Sequence, residues 1–245
     1  MQEQQRLARA APAAPRWSPP ASPLIGGCFI AYARGKEGPG RAGDRAWAAA
    51  VTWRAGGAGT RRPDRALVGT GPLGPRQAVD VESQVVVTGA TGDAYRPALL
   101  ALREGPLLEA AVRGLDPPPD VLLVDATGWD HPRRAGLALH LGAVLDVPSV
   151  GVTHRPLVAR GAFPELRRGA TSPLLIDGLV VAYWVCTRTG ARPVVAHAGW
   201  RTSPDTAAEV VVMSSSDGAR TPAPLGEARR VARETRAIAE GRVGR

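Results

Sequence analysis

Val121-Leu-Leu-Val-Asp125-Ala-Thr-Gly-Trp-Asp-His131-Pro-Arg-Arg-Ala-Gly-Leu-Ala-Leu-His-Leu-Gly-Ala-Val-Leu145, with the adjoining Asp-Val-Pro-Ser149-Val-Gly-Val152, contains a strand, a turn, a helix and a second strand in close succession. Four apolar residues bounded by turn-forming ones suit a strand buried on both faces, as at the centre of a parallel sheet. The helix is predicted from about Pro132 to Leu145, and Ser149–Val152 returns to the sheet. Asp125 closes the first strand, at the end of an open α/β sheet where ligands collect, and is the leading candidate for a functional residue. An acidic residue there could instead cap the next helix, but Asp130 stands nearer to that task.

Toward the N-terminus, Leu24–Tyr32, Arg45–Trp53 and Glu82–Thr88 read as three strands separated by glycine-rich turns. With no helix between them, they predict an antiparallel meander. From Pro97 to Leu115 apolar residues recur at helical spacing (Leu99, Leu100, Leu102, Leu107, Leu108, Ala111, Val112). Leu174–Asp177 and Leu179–Thr187 read as a hairpin turning at Asp177-Gly178, Pro193–Ala196 as a strand, and Ser203-Pro204-Asp205 as the start of a helix ending near Met213. Glu227–Ile238 is a basic helix. Its Arg229, Arg230, Arg233 and Arg236 recur at three- and four-residue spacing, the pattern of a nucleic-acid face or of an ordinary solvated surface. Residues 1–22, rich in Ala, Pro and Arg, are expected to form an arm with a short helix between Glu3 and Ala14, and residues 23–240 a single domain.

The 31 Lys and Arg against 22 Asp and Glu leave a net charge of +9, which favours a polyanionic partner. Arginine carries nearly all of it. Because arginine abundance beside Ala, Gly and Pro also follows from GC-rich coding, the charge supports a nucleic-acid reading without establishing it. Cys28 and Cys186 sit in separate apolar segments with no CxxC spacing and no paired His, which argues against zinc and for buried thiols in a reducing compartment. No stretch approaches the ~20 apolar residues of a membrane span, and Pro12, Pro15, Pro19 and Pro20 interrupt the N-terminus before an apolar leader could form. A soluble cytoplasmic protein is expected.

A three-strand meander followed by alternating helices and strands, with acidic residues at strand ends, is the layout of a ribonuclease H-like fold: an α/β mixed sheet, antiparallel and then parallel, flanked by helices. Within that class, residues 124–152 resemble endonuclease V, whose signature runs Asp-Gly-x-Gly-x-x-His-Pro-Arg-Arg-x-Gly-x-Ala-x-His-x-Gly. Ala94-Tyr95-Arg-Pro-Ala98-Leu-Leu-Ala-Leu-Arg103-Glu104-Gly105 is similar to the family's Pro-Tyr-x-Pro-Gly-x-x-x-Phe-Arg-Glu. Gly169-Ala-Thr-Ser-Pro-Leu-Leu175 is similar to its Gly-x-x-Ser-Pro-Leu, and Gly199-Trp200-Arg201-Thr-Ser-Pro-Asp205 to its Gly-His-Arg-x-Ser-x-Asp. These pieces follow in the family's order over residues 24 to about 230.

The resemblance implies Mg²⁺-dependent hydrolysis of a phosphodiester 3′ of a deaminated base, chiefly inosine, in DNA or RNA. Mn²⁺ would also serve in place of Mg²⁺, and the role would be DNA repair; apart from the resemblance, a monomer is expected. Clustered carboxylates would hold the metal while a second surface draws the odd base from its stack. By this resemblance Glu104 and Asp125 are the metal-binding catalytic carboxylates, Asp205 is a third acidic catalytic position, and His154 stands where a lysine is expected. On the nucleic-acid side, Tyr95 is the wedge whose ring replaces lost stacking and Gly128 is a pocket glycine. His131, Arg133 and Arg134 meet phosphate at a helix start, and Arg201 adds a further contact. Outside that context, Glu104 reads as a solvated helix residue, Tyr95 as packing and His131 as a helix cap.

The match breaks at the first strand, where the family reads Gly-x-Asp-x-x-Tyr and uses the aspartate as a central ligand. Here the strand is Gly27-Cys28-Phe29-Ile30-Ala31-Tyr32, and phenylalanine offers no donor atom to Mg²⁺. Further departures are Ala126 and Ala98 for glycines, His154 for lysine and Trp200 for histidine, expected at the same end of the sheet. One reading is a working nuclease that recruits Glu37, Asp44 or a substrate phosphate to complete the metal shell. The second is a homologue that binds nucleic acid without cutting it, and the third a protein-interaction module on the same fold.

Overall fold

The structure, a computed structural model, describes residues 2–34, 40–54, 81–216 and 218–242. Strands β1 (Leu24–Tyr32), β2 (Arg45–Arg54) and β3 (Val81–Ala90) form the expected antiparallel meander, with Tyr32 opposite Ala46 and Arg45 opposite Ala90. After α2 (Leu100–Arg113), β4 (Val121–Val124) pairs in parallel with β1, and after α3 (Leu137–Leu145), β5 (Ser149–Thr153) pairs in parallel with β4. A hairpin of β6 (Thr171–Ile176) and β7 (Leu179–Val185) and the antiparallel β8 (Val194–Ala198) complete an eight-stranded sheet in the order β3-β2-β1-β4-β5-β8-β7-β6. This is the ribonuclease H-like arrangement expected from the sequence. The hairpin turns at Asp177 and Gly178, both at positive φ, which suits the primed turns that match strand twist.

Alternation along β1 assigns its neighbours. Cys28 and Ile30 pack with α2 and α3, whereas Phe29 and Ala31 pack with α5 (Ala223–Ala239) on the opposite face. Helix α4 (Pro204–Met213) covers β5, β7 and β8, opening as predicted with Ser203 accepting the Thr206 N–H and Pro204 in the first turn. In β2, Ala46 and Ala48–Ala50 are fully buried, and these small side chains let helices approach both faces closely. Gly27 does the same for α5. A Cβ there would lie 2.4 Å from the Pro224 carbonyl carbon, so the absent side chain sets the helix against β1 and aims its arginines at the strand's end. At the outer edge, β6 carries Pro173, an irregular register between Leu174 and Leu175, and a bridge from Leu175 to Arg160.

Two local expectations change. Helix α3 begins at Leu137 rather than near Pro132, because residues 131–134 form a turn with Arg134 at φ +55°. The arm is docked: α1 (Gln2–Ala10) buries Leu7 and, just beyond it, Ala11 against Ala135 and Leu139. Among the described residues, no helix is long and apolar enough to cross a membrane.

Candidate functional site

Cys28 and Val124 are the last paired residues of β1 and β4, and Phe29 and Asp125 come next in each chain segment. Glu104, in the second turn of α2, reaches the same place from the other face of the sheet. A cavity of about 480 Å³ opens there, with Phe29, Tyr32, Glu104, Asp125, Arg233 and Arg236 in its lining. The structure therefore brings Glu104 and Asp125 together, and Phe29 with them.

The side chain that meets Asp125 is an arginine. Arg229 donates through Nη2 to Asp125 Oδ2 at 2.8 Å, and its guanidinium lies 5.1 Å from the centre of the Phe29 ring, with that of Arg233 5.5 Å from it. Such cation–π contacts contribute about 0.5–2 kcal/mol according to exposure. Phenylalanine at this position thus forms a platform for guanidinium groups. Glu104 accepts the Tyr32 hydroxyl at 2.6 Å. Burial holds the Glu104 carboxyl above the usual carboxylate range, assisted by the charge of Asp125 and opposed by Tyr32 and Arg103. His154, just past β5, is held below the ordinary histidine range by partial burial and then by Arg220. It is therefore largely neutral near pH 7 and does not replace a lysine's fixed charge.

These residues do not fit a resident Mg²⁺ or Mn²⁺ ion. Such an ion takes a near-octahedral set of oxygens, and among the described residues no group of three His, Cys, Asp or Glu side chains could hold a metal. One of the two carboxylates is clasped by a guanidinium and the other by a phenol, and the surroundings are cationic. The expected recruits do not alter this. Asp44 is buried in an ion pair with Arg103 at 2.9 Å and accepts the Arg41 N–H, and Glu37 lies outside the described residues. Asp205 is exposed on the first turn of α4 beside the Tyr183 hydroxyl. Because β8 is antiparallel to β5, with Ala198 opposite Val150, α4 starts at the end of the sheet where β4 begins, away from Asp125.

The base of the predicted wedge loop is a second centre. Tyr95 is 42 % exposed between β3 and α2. Ala98, at the loop's end, has φ +62°, a conformation that strains an L-residue by about 1–2 kcal/mol and explains why glycine suits the position. Its carbonyl collects three donors: Gln4 Nε2 at 3.0 Å, His131 Nε2 at 3.2 Å and Arg133 Nη2 at 3.0 Å. His131 Nδ1 accepts the Arg133 N–H, so the ring is neutral with its proton on Nε2. Burial, which lowers its pKa, favours that form. His131 and Arg133 therefore brace the Tyr95 loop and do not stand at a helix start.

The other expected nucleic-acid contacts also have internal partners. Arg134 reaches Asp177 at the hairpin tip at 3.1 Å. Arg201 donates to the Pro15 carbonyl at 3.3 Å and accepts the Trp17 N–H at 2.7 Å, while Trp200 packs near the docked helix. The departures from the family pattern thus divide between the cavity, the wedge loop and the arm. Gly128 is buried, and a Cβ there would fall 1.9 Å from the Ala198 carbonyl oxygen, so its missing side chain serves the close approach of two backbones. Asp130 is no helix cap. Its oxygens accept the N–H groups of Leu157, Val158 and Ala159 at 2.7–2.8 Å.

Sequence reading left Arg229, Arg233 and Arg236 between a nucleic-acid face and a solvated surface, and missed their contacts with Asp125, Phe29 and Tyr32 and the role of Gln4. The helical spacing was the available signal, since Leu225, Ala228, Val231 and Ala232 form the buried stripe of α5 and the three arginines lie along its flank.

A family model described as endonuclease V matches residues 73–230. Endonuclease V of Methanopyrus kandleri is 49% identical over 125 residues, 51% of this chain and 54% of that protein. That of Gloeobacter violaceus is 38% identical over 152 residues, 61% of each. The chain spans about half the length of the curated relatives it matches. The crystal structure of endonuclease V from Streptomyces avermitilis superimposes with a TM-score of 0.78 at 28% identity, covering 98% of this chain and 92% of that one. A Ciona intestinalis endonuclease V, in complex with a 24mer DNA containing an inosine followed by a ribo-adenosine, shares the fold with a TM-score of 0.68 at 19% identity, covering 97% of this chain and 96% of that one.

Proposed function

The chain belongs to the endonuclease V family, and from that premise we propose that it is a nucleic-acid-binding member with impaired metal-dependent cleavage, which engages DNA or RNA carrying a deaminated base such as inosine. The observation that carries this reading is the Arg229 guanidinium, 2.8 Å from Asp125 and stacked on Phe29. It places positive charge permanently beside the carboxylate that would otherwise attract a cation. Support for binding comes from the exposed Tyr95 on its braced loop and from the net charge of +9. The protein is read as a monomer of the cytoplasm, in keeping with two free buried cysteines.

A second reading, an inosine-directed nuclease active with Mg²⁺ or Mn²⁺ in DNA repair, is favoured by one observation: Glu104 and Asp125 still line one cavity. The test is a 5′-labelled single-stranded oligonucleotide with one inosine, incubated with the unmodified protein, with Phe29→Asp/Arg229→Ala, and with Glu104→Ala/Asp125→Ala, in each metal. The first reading expects binding without cleavage by the unmodified protein and cleavage 3′ of inosine only in Phe29→Asp/Arg229→Ala. Robust cleavage by the unmodified protein, abolished in Glu104→Ala/Asp125→Ala, would overturn it in favour of the nuclease.

A further inference from the structure

Three arginines converge on the cavity beyond Arg229. Arg34 follows the end of β1, and Arg233 and Arg236 come from α5; all three line the same 480 Å³ space. The Arg34 backbone N–H donates to Glu240 Oε1 at 2.9 Å, and among the described residues neither the Arg34 nor the Arg233 guanidinium is in an ion pair with a carboxylate. Arg233 instead rests on the Phe29 ring. Arg236 is anchored by donating to the Tyr32 carbonyl at 3.2 Å, and its Nε is buried with no hydrogen-bond partner, as is that of Arg229. Gathering like charges is unfavourable in the absence of an anion, and the group senses it: burial first, then Arg34, depress the Arg236 pKa, with Arg233 and Arg242 adding to the effect and Glu240 opposing it. The two acids in the lining do not neutralise the cluster. Asp125 is paired with Arg229, and Glu104 is engaged by Tyr32 and resists ionisation through burial.

We propose that this cavity binds a phosphate group of a nucleic-acid strand directly on Arg34, Arg233 and Arg236, without a divalent cation as intermediary. The chemistry suits the residues, because guanidinium forks match phosphate oxygens in geometry and charge. Phe29 contributes by holding Arg229 and Arg233 in place, so the substitution that removes a metal ligand also builds the anion site. The inference rests on the reading of the chain as a nucleic-acid binder.

The test uses the full chain and measures fluorescence anisotropy of the single-stranded inosine oligonucleotide in EDTA and in Mg²⁺ across a salt series. The variants are Arg34→Gln/Arg233→Gln and, as control, Arg230→Gln, whose guanidinium pairs with Glu227 and Glu234 on the same helix. A parallel arm follows the melting temperature with inorganic phosphate in EDTA. The expected result is affinity in EDTA within about twofold of that in Mg²⁺, about tenfold or more lost in Arg34→Gln/Arg233→Gln, and a salt slope shallower by about 0.7–0.9 per phosphate contact removed. The control should bind within about twofold of the unmodified protein.

Binding that needs Mg²⁺, or that survives unchanged in Arg34→Gln/Arg233→Gln, overturns the inference and leaves the binder reading standing. Absence of oligonucleotide binding under every condition refutes the binder reading. Inorganic phosphate then decides the pocket. Stabilisation of the unmodified protein, lost in Arg34→Gln/Arg233→Gln, supports a phosphate site that takes the free anion, and no stabilisation overturns it.

Discussion

Asp130 is fully buried and holds three consecutive backbone N–H groups of the loop after β5. Asp125, five residues earlier in the same connection, has a side chain 31 % exposed and meets a single guanidinium. Both are aspartates leaving one strand, and sequence reading gave Asp130 the structural task and Asp125 none, but named that task as a helix cap where the structure shows an anchor for a distant loop. The contrast separates an acid whose partners are backbone, and hence part of the architecture, from one whose partner is a side chain beside a cavity. Asp125 is the one of the two that the fold leaves incompletely satisfied.

The largest expected effect is on stability. Asp130→Ala leaves one buried and two part-buried N–H groups without their acceptor and should lower unfolding free energy by about 3 kcal/mol, whereas Asp125→Ala should lower it by less than about 1 kcal/mol, as befits a partly exposed pair. Urea denaturation of both variants measures this, and equal losses would erase the contrast. Next, Gln4→Ala removes one of the donors on Ala98 and should cost about 1–2 kcal/mol. It should also quicken chymotryptic cleavage after Tyr95, and unchanged cleavage would mean that the arm does not brace the loop.

Acid sharpens the same comparison. His197 is fully buried, its Nδ1 3.6 Å from Asp130 Oδ2, and burial depresses its pKa against the pull of that charge. The folded state therefore binds fewer protons than the unfolded state between the depressed value and the ordinary histidine value of about 6.5. Stability should be full above that pH and fall as pH drops below it, seen as a lower urea midpoint at pH 5.5 than at pH 7. Asp125→Asn should leave this trend intact. The smallest effect is on affinity: Asp125→Asn, which releases Arg229, should tighten oligonucleotide binding by about two- to threefold in EDTA, through one further cation available to phosphate. Weaker binding would show that Asp125 itself contacts the strand.

Much of the framework was legible because β1, β4 and the Asp177-Gly178 hairpin are read from local signals, namely apolar runs and turn residues. The start of α3 was not, because Pro132 is as well suited to a turn as to a first helical position, and Arg134 adopts a left-handed conformation that sequence does not announce. At the site, Glu104, Asp125 and the departure at Phe29 were readable. What Phe29 does was not, since its partners Arg229 and Arg233 come from a helix about 200 residues away in sequence, and arginines at helical spacing look alike whether they face water or a ring. The task of His131 and Arg133 was hidden for the same reason, because the Ala98 carbonyl that they share with Gln4 is assembled from three distant segments.

The outer strand β6 has a consequence for the molecule in crowded solution. An exposed strand edge is a template on which another chain can extend a sheet and seed aggregation. Here Pro173 offers no N–H, the register breaks between Leu174 and Leu175, and Leu175 exchanges both of its backbone hydrogen bonds with Arg160 of its own chain. The edge is thereby interrupted over three successive residues. A basic protein of this kind can concentrate along a polyanion while its sheet offers little continuous ladder for fibrous growth.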